Sequence, residues 1–204
     1  RLDANIAAQP GRLRPHVKTH KILEIARRQL AAGAHGLTVA TVGEAEVFAE
    51  VCDDIFIAYP VWADKRLRDL AGRVRLSVGC DSLAAAERLV GVGAAVLIEL
   101  DSGHHRSGVP VGELESLATG ILDLGLDLRG AFTFPGHSYA PGGQEAAARD
   151  EDRALSAAGQ ILRALGVTDP VLSGGSTPSA RYSQVATERR PGVYVFNDAQ
   201  QLEL

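Results

Sequence analysis

The sequence predicts an α/β chain folded as a (β/α)8 TIM-type barrel. Three observations carry that expectation. Short apolar runs alternate with segments of helical spacing, eight such runs in 204 residues, a length at the short end for such barrels. The runs are apolar along their whole length, as where helices cover both faces of a parallel sheet. Unusual polar residues recur just after the runs, and in such barrels chemistry gathers at the C-terminal strand ends. A doubly wound sheet shares the alternation and is the structural alternative. No repeat, low-complexity tract or linker divides the chain, so residues 1–204 read as one domain.

In order, 2–8 reads as the tail of a helix and 13–17 as the first strand. Ile22, Ile25, Ala26 and Leu30 recur at helical spacing over 22–32, before Gly33. Residues 36–40 form the second strand. Thr41, with Glu44 three positions on, opens a helix over 42–51 as a capping box. Ile55-Phe56-Ile57 marks a buried strand over 54–59, closed by Pro60, and 63–71 is helical. A strand over 74–78 ends at Gly79, and Asp81 is the expected N-cap of a helix to Val90. Then come strand 95–100, helix 111–124, strand 128–134 stopped by Pro135-Gly136, helix 144–165 and strand 170–172. A weakly patterned connector leads to the eighth strand, 193–196.

Composition narrows the function classes. Hydrophobic residues make up 46% of the chain and the net charge is −4. The absence of a basic stripe argues against nucleic acid as a partner. No apolar run reaches the roughly 18 residues of a membrane span, and no signal-peptide pattern opens the sequence. Cys52 and Cys80 lack metal-site spacing and suit small apolar roles in a reducing cytoplasm. The chain opens at Arg1, contains no methionine and stops at Leu204 without a closing signal. Parts of the natural polypeptide are therefore expected to be missing.

The candidate chemistry sits at the strand ends. In Arg14-Pro15-His16-Val17-Lys18-Thr19-His20-Lys21 a lysine stands among apolar and imidazole neighbours. A lysine that forms an imine must be neutral for part of the cycle, and burial near other cations lowers its pKa. The alternative is a basic strand end facing water. Ser173-Gly174-Gly175-Ser176-Thr177 suits a phosphate, because glycines let backbone N–H groups approach an anion and hydroxyls add donors. Barrels often hold phosphate after strands seven and eight; a flexible polar turn is the other reading. Asp101, His104 and His105 are potential metal ligands, but adjacent histidines on a tight loop rarely meet at one ion and no fourth donor is evident, so no metal site is assigned. Asp101 and Arg106 could equally form a surface ion pair. His137 and Tyr139 suit proton transfer or contacts to an aromatic ligand.

The octapeptide from Arg14 to Lys21 resembles the lysine motif of the D-serine dehydratase and D-threonine aldolase family, pyridoxal-phosphate enzymes of the alanine racemase barrel type. Four further stretches resemble that family in the expected order: Asp101–Gly108, Gly136–Tyr139, Gly174-Gly175-Ser176-Thr177-Pro178-Ser179 and Arg189–Asp198. The resemblance implies a fold of the alanine racemase N-terminal domain type and pyridoxal 5'-phosphate as cofactor, with Lys18 forming the internal aldimine. It implies catalytic roles for Lys18 and His137, and cofactor contacts from Arg106, His137, Tyr139, Ser173, Gly174, Gly175, Ser176 and Asn197. Arg190 could alternatively reach the pyridine ring. The implied activity is a lyase acting on a D-3-hydroxy amino acid, like D-serine dehydratase or D-threonine aldolase, in a cytoplasmic homodimer. A racemase of the same fold and a non-catalytic barrel that carries the cofactor for homeostasis are the alternatives. Relatives of this type carry a C-terminal β-domain that supplies ligands for a divalent metal, zinc or manganese. No comparable His-x-Cys site is found here, so that domain is expected to be missing from this chain.

Overall fold

The computed structural model describes residues 2–9 and 11–199. Among them the helices are α1 (Leu2–Ala7), α2 (Leu23–Ala31), α3 (Val42–Phe48), α4 (Lys65–Ala71), α5 (Leu83–Leu89), α6 (Val111–Asp123) and α7 (Gln144–Ala164). The strands are β1 (Leu37–Val39), β2 (Asp54–Ile57), β3 (Arg75–Cys80), β4 (Ala95–Leu100), β5 (Leu128–Thr133), β6 (Val171–Gly174) and β7 (Glu188–Arg189). They lie in chain order in one sheet, every neighbouring pair parallel.

Period-two alternation divides the buried side chains. Ile55 and Ile57, Val96 and Ile98, and Ala131 join the large core beneath the helices. Phe56, Leu97 and Phe132, one residue out of step, form a separate cluster. Phe56 and Phe132 meet edge to face with centroids 5.0 Å apart. Each side chain of this size stabilises the fold by roughly 1.5–3 kcal/mol on burial.

The expected ring of eight is realised as seven strands and one extended segment. Residues 13–16 span the gap between β7 and β1 through isolated parallel bridges, Leu13 to Arg189 and His16 to Thr38. The Arg14 N–H donates to Arg189 O at 2.9 Å and the Thr38 N–H to Pro15 O at 2.9 Å. Two expectations are corrected. Residues 193–196 are not the last strand: Val193–Val195 is a 3-10 helix, and the seat of the last strand is Glu188–Arg189, in the stretch read as a connector. The reason is tertiary, because Tyr194 and Val195 are buried with Ile6, Leu13 and Ile25 in a small side core beside α1. The N-cap of α5 is Ser82, whose hydroxyl accepts from the Ala85 N–H at 3.3 Å, rather than Asp81.

The capping box of α3 forms nearly as expected. Thr41 Oγ1 accepts from the Glu44 N–H at 3.1 Å, and Glu44 Oε2 accepts from the Ala40 N–H at 2.7 Å. Thr41→Ala is expected to lower stability by about 1 kcal/mol in urea denaturation. A change below a few tenths would show that the cap contributes nothing.

Candidate active site

The octapeptide alternates between the lumen of the ring and its outside. Arg14 points inward, with Nη1 2.6 Å from Asp54 and Nε 2.9 Å from Glu188. His16 caps a 3-10 turn, Val17–Thr19, anchored by the fully buried Val17. His20 lies on the other side, its Nε2 3.3 Å from Gln29, which in turn donates to the Tyr194 hydroxyl at 2.7 Å. Lys21 turns outward to Glu44, 3.0 Å away. Between His16 and His20 the chain leaves Lys18 at the rim of a recess.

That recess is lined by Lys18, His16 and Thr19 on one side and by Ser176, Gly192 and Val193 on the other, with Phe134, Tyr139 and Arg190 between them. Its enclosed volume is about 40 Å3, so a ligand larger than a small anion seats one end there and keeps the rest in the open mouth. Gly192 is the close approach that brings the two sides together: a Cβ there would lie 2.9 Å from Thr19 Oγ1 and 3.0 Å from His16 O.

Positive charge dominates the electrostatics. Lys18 Nζ sits over the Phe134 ring, 5.3 Å from its centroid, and the Arg106 guanidinium lies 5.1 Å from the same centroid. Desolvation, then Arg106 and Arg190, lower the Lys18 pKa, while Glu44 opposes them. The residue remains exposed overall, so the depression is partial. Burial, followed by the charges of Lys18, Arg190 and Arg106, holds His16 well below the usual imidazole range and keeps it neutral. Arg190 is buried against Phe132 and Phe56, with its guanidinium 5.2 and 5.7 Å from their centroids. Its Nη2 donates to Thr133 O, but its Nε has no partner. Burial raises the Tyr139 pKa, against hydrogen bonding to Thr177.

Of the residues singled out in the sequence, the structure brings together Lys18, Tyr139, Ser176 and Arg190, with Arg106 beside them across Phe134. The others stand elsewhere. His137 Nε2 lies 3.2 Å from Asp150 on α7, and His137 does not line the recess. Ser173 donates to Glu188 at 2.7 Å. The Gly175 N–H, expected to face a phosphate, donates to Glu151 at 2.8 Å, and Gly174 packs on the same carboxylate. Asn197 is exposed after the last 3-10 helix, with φ +52°. His16, Phe134, Gly192 and Val193 were not anticipated. Pro191-Gly192 is a turn signal that argues against a strand there.

His105 Nδ1 bonds Asp101 at 2.6 Å, and His104 packs edge-on against Phe134. Among the described residues no group of three or more His, Cys, Asp or Glu side chains could hold a metal ion. A larger cavity of about 500 Å3 opens at the N-terminal strand ends, bordered by Arg14, Asp54, Arg75, Arg129 and Glu188. Arg14, Arg75 and Arg129 are tied to neighbouring carboxylates. This is the barrel face associated with stability, so volume alone is a poor guide to the site here.

Residues 1–200 match the family described as "Alanine racemase, N-terminal domain". The chain belongs to this family. It is 39% identical over 217 residues to D-threo-3-hydroxyaspartate dehydratase of Delftia sp. (strain HT23), covering 97% of this chain and 57% of that protein. It is 35% identical over 204 residues to D-threonine aldolase of Arthrobacter sp., covering 91% of this chain and 54% of that protein. The solved Delftia dehydratase superposes with a TM-score of 0.88 at 38% identity, over 98% of this chain and 60% of that one. D-threonine aldolase from Filomicrobium marinum gives 0.90 at 29% identity, over 99% and 62%. The chain thus spans a little over half the length of these relatives. The lysine turn and the recess belong to an alanine racemase-type fold.

Proposed function

We propose that the chain holds pyridoxal 5'-phosphate through Lys18 and belongs to a lyase acting on D-3-hydroxy amino acids. The observation that carries this is that the Lys18 amine and the Ser176, Gly192 and Val193 segment line one recess. The donor set fits the cofactor: an amine at the rim, a serine hydroxyl in the recess, and a buried arginine whose Nε lacks a partner. Lys18 would hold the aldehyde end, Ser176 with the Gly192 turn the phosphate end, and Arg190 lies between them. Once bound, the cofactor supplies an electron sink for negative charge developing at the substrate α-carbon.

The chain's own residues do the rest. Desolvation and the charges of Arg106 and Arg190 make a neutral Lys18 amine easier to reach, which both bond formation and proton pick-up require. Lys18 would be the base that takes or returns the α-proton. Neutral His16 caps the lysine turn, its Nδ1 3.4 Å from the Lys18 N–H, and adds no competing charge. Arg106, exposed beside Lys18, offers a cation to a substrate carboxylate. The names of the dehydratase and aldolase relatives support a 3-hydroxylated D-amino acid as substrate.

Two further parts of the proposal, a cytoplasmic setting and a homodimer, are checked by cell fractionation and light scattering. The deciding experiment is an imine absorbance band followed by borohydride reduction and peptide mapping, expected to place the pyridoxyl group on Lys18. Keto acid and ammonia from a D-3-hydroxy amino acid indicate dehydration; glycine and aldehyde indicate carbon–carbon cleavage. A pyridoxyl group on another lysine overturns the assignment.

A further inference from the structure

We infer that Glu151, on α7, is a positioning residue that sets the Ser176 side of the recess and thereby governs affinity for the phosphate end of the ligand. The inference rests on the reading that Lys18 and Ser176 hold the two ends of pyridoxal 5'-phosphate. Glu151 is fully buried, yet it does not line the recess. Its Oε2 accepts from the Gly175 N–H at 2.8 Å and its Oε1 from the Ser183 hydroxyl at 2.8 Å. Gly174 must lack a side chain for this to happen, because a Cβ there would lie 2.7 Å from Glu151 Oε1. The Gly174 carbonyl accepts the Arg190 N–H at 2.8 Å, which links the same loop to the buried arginine.

The next helix residue holds the far end of the excursion. Asp152 accepts from the Gln184 N–H at 3.1 Å and the Val185 N–H at 3.0 Å. Two successive carboxylates on α7 thus fix both ends of residues 175–185. Between them Ser176 is steadied by Ser138 Oγ at 2.7 Å and Ser179 Oγ at 2.8 Å. The physical consequence is an exchange of roles. An N–H committed to a carboxylate cannot bind an anion, so the Gly175 N–H orients, and the Ser176 hydroxyl would bind by turning its O–H away from Ser138 or Ser179. Charge-assisted bonds of this kind hold geometry well. Removing Glu151 leaves the Gly175 N–H buried without its acceptor and the Ser183 hydroxyl with only the longer bond to Asp152, 3.3 Å, so the loop has to rearrange.

The test compares pyridoxal 5'-phosphate with pyridoxal, which carries the same aldehyde without the phosphate. Both are titrated against the full chain by imine absorbance in the unchanged protein, E151A, E151Q and S183A. E151A is expected to weaken pyridoxal 5'-phosphate about tenfold and pyridoxal by less than about twofold. In E151Q the amide oxygen still accepts from Gly175, so affinity should stay within about threefold of the unchanged protein. S183A loosens Glu151 while leaving its bond to Gly175, and should lower the phosphate preference about threefold; it decides the matter if E151A does not fold. Equal losses for both ligands, or a phosphate preference unchanged in E151A and S183A, overturn the positioning role alone. Failure of the unchanged protein to form an imine with either ligand overturns the proposed function and this role with it.

Discussion

Lys18→Ala is expected to abolish the imine band and to lower turnover of any D-3-hydroxy amino acid substrate by about 10^3-fold or more. The reason lies in what one side chain is asked to do. It must bond to an aldehyde and later carry a proton at the α-carbon, and no other described amine lines the recess. Arginine in its place is expected to fare no better, since a guanidinium keeps its charge and forms no such bond. Thermal stability should barely change, because Lys18 is exposed and its amine rests on the face of Phe134. Lys21→Ala serves as the control: it removes an outward ion pair to Glu44 and should leave the band in place. An intact band in Lys18→Ala, measured spectrophotometrically alongside product formation, would falsify the assignment.

Glu188→Ala is expected to cost roughly 3–5 kcal/mol, the range for removing one partner of a buried ion pair. Glu188 is 4% exposed. Its carboxylate joins Arg14 at 2.9 Å, His35 at 2.8 Å and Ser173 at 2.7 Å. Without it Arg14 keeps only Asp54 as a carboxylate partner, at the seam between β7 and residues 13–16. Urea denaturation at pH 7 measures the loss, and a change under about 1 kcal/mol would show that solvent fills the gap cheaply.

The same group shapes the acid limb of stability. Burial alone would raise the Glu188 pKa, but the His35 hydrogen bond, the Arg14 charge and the Ser173 hydrogen bond outweigh it and hold the pKa at about 2, against 4.5 for a free glutamate. The stabilisation is therefore complete above about pH 4.5 and is lost as pH falls towards 2. Glu151 has the opposite sign: burial lifts its pKa to about 6, so its contribution is present below 4.5 and lost as pH rises through about 6. An acid titration followed by circular dichroism should show a shallower limb below pH 4.5 for Glu188→Gln than for the unchanged protein.

Much of the sheet is legible in the sequence because runs such as Ile55-Phe56-Ile57 and Val96-Leu97-Ile98 are buried on both faces and keep their apolar character throughout. The seam is not legible for the converse reason. Glu188 and Arg189 form a two-residue strand of charged side chains, with Glu188 turned towards Arg14. Val193–Phe196 has strand-like composition but is recruited by α1 into the side core. At the site, the lysine turn is a local motif and can be read directly. The fate of the Gly175 N–H is not local, since its acceptor stands 24 positions earlier on a helix. Burial of that carboxylate depends on the whole packed layer rather than on the Gly-Ser pattern.

The seam also orders events in time. Residues 13–16, which deliver Lys18, are held on one flank by Arg189 and Pro191, positions far away in the chain. A nascent polypeptide therefore exposes the Lys18 amine early, while the recess around it waits until synthesis has passed residue 193. Joining contacts so distant in sequence is intrinsically slow. The capacity to capture an aldehyde ligand tightly should consequently return with the last phase of refolding, which makes ligand capture a reporter of finished assembly.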